Sequence, residues 1–142
     1  MKKLLGIVIL CLLLSSSTYA NGISGKQLEC ERGFVYFIAS PVYFVFLEKY
    51  KVKRMYVSKK TLKVVENVYD YKPLPETIEI YASSPSGFKW VIRINRETLE
   101  KSDTKKSTDS HTQCRIITFS AKEELDTISN QLLNEQSKKN KI

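Results

Sequence analysis

The chain has 142 residues, 42% of them hydrophobic and 27% charged, with a formal net charge of +8. That length allows one domain with a modest core. A single histidine, His111, and three cysteines lack the ligand spacing of a metal centre.

The first twenty residues have the pattern of a secretory signal peptide. Lys2 and Lys3 form a basic start, residues 4–14 are an uninterrupted apolar run, and Thr18-Tyr19-Ala20 is a small-x-small cleavage pattern. The apolar run is too short to span a bilayer comfortably, and Cys11 inside it lacks the small residues that a lipoprotein signal needs. Cleavage after Ala20 leaves a chain that starts at Asn21, carries +6 once Lys2 and Lys3 are set aside, and has no other stretch able to cross a membrane. The expected localisation is periplasmic or secreted. Cys30 and Cys114 then remain as an even pair in an oxidising compartment, which predicts a disulfide between the first strand and the last.

Residues 21–27 are polar with Gly22 and Gly25, and read as a flexible leader before a single domain over 28–135. Strands are expected at 34–39 and 42–47. The second of these, VYFVFL, is apolar on both faces and should be well covered or line a barrel. Residues 50–57 form the next strand, with either Val52 and Tyr56 or Met55 and Val57 inward. Arg54 disturbs that alternation and suggests a bulge. Residues 62–69 read as strand, while Pro73 and Pro75 mark 70–76 as a loop or extended edge. Residues 76–100 carry the clearest pattern. Ile78, Ile80 and Ala82 alternate with polar neighbours, as do Phe88, Trp90, Ile92 and Ile94, around a turn at 83–87. Trp90 is read as core. A second turn at Asn95-Arg96 leads to a short strand at Thr98-Leu99.

Residues 102–112 contain no apolar side chain and read as a solvent-exposed loop holding His111. Strand pattern returns at 113–119. Ser120 and Glu123 form a capping box, and Ala121, Leu125, Ile128 and Leu132 make one apolar stripe on a helix over 120–135. That helix should dock on the sheet or over a barrel mouth. Residues 136–142, with Lys138, Lys139 and Lys141, form a basic tail.

A nucleophile elbow, a Gly-rich phosphate loop and paired-cysteine metal motifs are absent from the sequence, so no enzyme, catalytic residue, cofactor or metal is expected. Two features suggest recognition. Lys51, Lys53, Arg54, Lys59, Lys60 and Lys63 form a basic cluster suited to an anionic envelope component or a periplasmic protein, since an exported chain rarely meets nucleic acid. The aromatic residues exceed what a small core needs, so some can line a pocket or an exposed face.

Trp90-Val91-Ile92-Arg93-Ile94-Asn95-Arg96-Glu97-Thr98-Leu99, between an early and a late cysteine and before a Lys-rich end, resembles a loose group of small exported proteins of marine planktonic bacteria and their viruses. That resemblance implies no particular activity. Ser86-Gly87-Phe88 and Lys89-Trp90 faintly resemble the inhibitory Ser-Gly-x-x-Tyr and Phe-Trp segments of periplasmic inhibitors of C-type lysozyme, which are small β-barrels with a disulfide near the two ends of the domain. The tyrosine is missing here, and Val91-Ile92 replaces the Lys-Gly that follows. On this resemblance Ser86, Gly87 and Phe88 join the candidate partner-binding residues.

The expected protein is all-β with one C-terminal α-helix: an antiparallel meander of seven to eight strands, partly or fully closed into a small barrel. The expected function is a non-enzymatic binding module that holds an envelope component or a protein partner. The alternatives are a carrier of a small apolar ligand in the barrel, or an inhibitor of an envelope-degrading enzyme such as lysozyme.

Overall fold

The structure, a computed structural model, describes residues 23–33, 35–104 and 111–140. The expected signal peptide lies outside them, as does Lys141 of the expected tail. Eight strands form a closed antiparallel barrel in sequence order: β1 (Gln27–Cys30), β2 (Val42–Phe46), β3 (Lys51–Val57), β4 (Val64–Pro73), β5 (Thr77–Ser83), β6 (Lys89–Asn95), β7 (Glu100–Asp103) and β8 (Thr112–Ile117). Among the described residues a single helix follows, α1 (Ala121–Lys139). Every neighbour pair but one is consecutive in the chain. The exception, β1 with β8, closes the barrel, and there Cys30 lies opposite Cys114 and is disulfide-bonded to it.

Period-two alternation decides what fills the interior. Phe44, Phe46, Val52, Ile80, Ile92 and Ile94 are almost wholly buried there, with Leu28, Cys30, Ile78 and Cys114. Directly opposed residues share a face, so the pairs Ile78–Ile94 and Ile80–Ile92 stack inward across the β5–β6 hairpin. An eight-stranded barrel leaves just enough room for such side chains.

The outer face of β2 and β3 is buried as well. Tyr43, Met55, Val57 and Ile117 pack against Ala121 and Leu125 of α1, with Ile128 and Leu132 half-buried beside them. The predicted stripe therefore docks on the barrel wall and not over a mouth. Ser120 caps α1, its hydroxyl accepting from the Glu123 amide, while Gln27 Oε1 accepts from the Ala121 amide at 3.0 Å. The helix continues to Lys139, past the expected end at 135, because Gln136, Lys138 and Lys139 are good helix formers and the two lysines oppose the dipole at the C-terminal turn.

Four further sequence expectations change. Residues 23–27 are not a free leader: Ile23 is buried, and the Gly25 amide donates to Phe46 O at 2.8 Å. Residues 35–39 form no ladder. The Ala39 amide donates to Val57 O and the Lys59 amide to Phe37 O, with one isolated bridge from Ile38 to Ser58. Serving the end of β3 bond by bond, this segment acts as a cover. No bulge occurs at Arg54, since β3 and β4 pair without interruption from Lys51–Asp70 to Val57–Val64. Of the alternatives for β3, Val52 and Tyr56 point into the barrel, whereas Met55 and Val57 face outward and are buried under the helix. Finally, Leu99 has φ 59 and belongs to the turn, so the short strand begins at Glu100. Pro73 ends β4 beyond its last pairing with β3, where a missing amide proton costs no ladder bond.

Two measurements test this architecture. Cys30→Ala with Cys114→Ala removes the covalent bond across the one non-consecutive pairing and should cost about 2–5 kcal/mol in urea unfolding. Burial under the helix, aided by the Glu29 and Glu124 carboxylates and opposed by Arg115, pushes the Tyr43 phenol from 10.0 up to about 12. The folded protein then keeps this proton between pH 10 and 12 while the unfolded chain releases it, so stability falls as pH rises through that window. Tyr43→Phe should flatten this alkaline limb in a pH series of thermal melts.

Candidate functional site

A meander sends alternate connections to opposite ends of the barrel. The connections after β1, β3 and β5, at residues 31–41, 58–63 and 84–88, share one rim with Thr104 and His111, which flank the connection after β7. Those at 47–50, 74–76 and 96–99 share the other. The charges differ sharply. Among the described connecting residues the first rim has Arg32, Lys59, Lys60 and Lys63 against Glu31, whereas the second has Lys26, Lys49 and Arg96 against Glu48, Glu76 and Glu97. Exposed aromatics follow the same bias less strongly: Tyr36, Phe37 and Phe88 on the first rim, Tyr50 and Phe119 on the second.

The predicted basic cluster splits three ways. Lys51 and Lys53 lie on the outer wall and pair across the β3–β4 ladder with Asp70 and, at 3.9 Å, with Glu66. Exposed pairs of this kind contribute little. Arg54 faces into the barrel. Lys59, Lys60 and Lys63 remain together in the β3–β4 turn at the first rim. Leu62 there adopts φ 57 and donates its amide to Ser58 O, while its own carbonyl accepts from the Ser129 hydroxyl of α1. The helix thus anchors the lysine turn. Leu132 is the last α1 side chain packed on the barrel, so residues 133–139 carry Lys138 and Lys139 about 10 Å onward at the usual rise.

Ser86, Gly87 and Phe88 sit in the neighbouring β5–β6 turn. Its shape comes from Gly87 at φ 86 and from the Ser84 hydroxyl, which meets Ser86 Oγ at 2.8 Å and accepts from the Phe88 amide at 3.2 Å. Phe88 stacks on Trp90 with ring centroids 6.1 Å apart, and Trp90 meets Tyr69 edge-on. Trp90 is therefore half-buried, joining the core to the rim.

A second group lies inside the barrel. Arg54 is directly opposite the inward Phe44, and on β7 Lys101 opposes Ile94 and Asp103 opposes Ile92. Thr112 of β8 opposes Lys101. Lys101 is only 9% exposed and Thr112 8%. Lys101 Nζ stands 3.7 Å from Asp103 Oδ2. Burial lowers the Lys101 pKa below its usual value, Asp103 opposes that shift, and the Arg54 charge adds to it. Arg54 lies over the Tyr56 ring at 4.9 Å, which fixes its guanidinium. Arg54 Nε, Asp103 Oδ1 and Thr112 Oγ1 are buried and have no hydrogen-bond partner among the described residues.

This interior group escaped the sequence reading. Residues 102–112 look like uniform polar loop, yet Asp103 and Thr112 are the last and first residues of barrel strands. The only signal was the spacing of Lys101 and Asp103, two apart as on one strand face. His111 pairs through Nδ1 with Glu100 Oε1 at 2.6 Å. Elsewhere on the wall a cavity of about 250 Å³ lies near the start of α1, lined by Gln27, Val45, Lys53, Met55, Glu66, Ser120 and Lys122. Among the described residues no group of three or more His, Cys, Asp or Glu could hold a metal ion, and no helix is long and apolar enough to cross a membrane.

In comparisons with known proteins, no protein family, no curated protein and no solved structure matches the chain.

The buried pair gives a stability test. Asp103→Leu alone leaves the buried Lys101 charge without its carboxylate and should cost about 3–5 kcal/mol. Lys101→Met with Asp103→Leu removes both members and should be neutral or stabilising by about 1–4 kcal/mol, measured by chemical denaturation.

Proposed function

We propose that this chain is an exported, non-enzymatic binding module whose first rim grips an anionic polymer of the cell envelope. The observation that carries this reading is the one-sided rim. Among the described connecting residues, four cationic side chains against one anionic, with three exposed aromatics on the same rim, crowd one end of the barrel. Lysines on short turns meet an anionic polymer without losing much side-chain freedom elsewhere, and aromatic faces add contact area against sugar rings or apolar segments. The disulfide fits an oxidising compartment, where such polymers are found. The packing of the central interior by Phe44, Phe46, Ile80, Ile92 and Ile94 favours recognition at the rim over carriage of an apolar ligand.

The test is binding of a fluorescent polyanionic glycan, with the uncharged glycan as reference. Lys59→Glu with Lys60→Glu and Lys63→Glu should weaken capture about tenfold or more, reduce its salt dependence and leave the melting temperature nearly unchanged. Undiminished capture by this variant would overturn the reading. If the wild type instead slows a C-type lysozyme and the charge reversal leaves that untouched, recognition belongs to the 84–88 turn and the inhibitor reading takes its place.

A further inference from the structure

From the group inside the barrel we infer that the chain has a second, independent site, which takes a small hydroxylated carboxylate such as a hydroxy acid or a sugar acid. Lys101 is the hub. Its ammonium lies 3.7 Å from Asp103 Oδ2, beyond hydrogen-bond length, it opposes Thr112 directly across the β7–β8 pair, and it feels the charge of Arg54. Its direct partner Thr112, its same-face neighbour Asp103 and the inward-facing Arg54 each carry a buried polar atom without a hydrogen-bond partner among the described residues: Thr112 Oγ1, Asp103 Oδ1 and Arg54 Nε. Folded proteins rarely leave such atoms unsatisfied, and three from one inward-facing group indicate a shared polar guest.

The unmet chemistry specifies that guest. The Arg54 Nε–H and the Thr112 hydroxyl are donors, and an ammonium stands beside them, so an oxyanion fits there. Asp103 Oδ1 accepts only, so the guest must also donate, as a hydroxyl next to the anion does. Two cations against one carboxylate leave a single positive charge, which matches a monoanionic carboxylate and not a dianionic phosphate. Gly33, in the exposed first-rim connection, lies close over Thr112: a Cβ there would stand 3.1 Å from Thr112 Cγ2.

Isothermal titration calorimetry on the disulfide-bonded protein tests this with glycerate and glucuronate as probes, against acetate, glucose and inorganic phosphate. Saturable binding of at least one hydroxy acid is expected, with acetate, glucose and phosphate weaker by about tenfold or more. Thr112→Val removes one unsatisfied hydroxyl at nearly constant shape, so it should hold or raise the melting temperature while weakening the acid about tenfold or more. Arg54→Lys keeps the charge, loses the planar donor and should weaken binding similarly. The Lys59, Lys60 and Lys63 charge reversal should leave this binding unchanged, which separates it from the rim. Absence of saturable heat with both acids at millimolar concentration would mean that ordered water satisfies these groups, and would overturn the inference. Undiminished binding in Thr112→Val, or phosphate binding as well as either acid, would overturn it equally.

Discussion

Pairing of β1 with β8 is the contact on which the rest of this structure depends. Every other strand pairs with its neighbour in sequence, so each hairpin can form locally. The closing pair joins residues separated by 84 positions, and its loop entropy is the largest single cost of the topology. The disulfide places a covalent bond at that point. Closure also abolishes the two exposed strand edges that an open meander would present, and edges of that kind invite aggregation. The interior exists only because of it: Cys114 and Thr112 on β8, and Lys101 beside them, become buried when β8 meets β1.

The helix adds a second layer without adding a second domain. β2 and β3 are apolar on alternate positions of both faces, and an isolated barrel would leave Tyr43, Met55 and Val57 in water. Docking α1 over them buries that set and carries the helix from one end of the barrel to the lysine turn at the other, where Ser129 holds Leu62. A strand covered on both faces also tolerates one polar inward position. Arg54 occupies it, with its guanidinium over the Tyr56 ring.

The rim and the interior group follow from parity. In a meander, residues distant in sequence meet only if their connections turn at the same end. That rule brings residues 58–63 and 84–88 together with Tyr36 and Phe37, and sends Glu48, Glu76 and Glu97 to the opposite end. The same parity along each strand sorts Lys51 and Lys53 outward, where acids of β4 neutralise them, and Arg54 inward. A cluster contiguous in sequence is thus divided in space, while a rim scattered in sequence is united.

By itself the sequence determined the all-β class, the meander, the Cys30–Cys114 bond and the amphipathic helix, because each rests on local periodicity, local capping or simple parity of cysteines. Phe88 to Ile94 and Ala121 to Leu132 were legible for that reason. Tertiary structure alone decided that the barrel closes, that both faces of β3 are buried and that residues 23–27 belong to the wall. It alone turned Asp103 and Thr112 from loop residues into inward strand ends. Burial of a polar side chain depends on which strand lies across from it, and that pairing is set by closure of the whole barrel and not by the residues on either side.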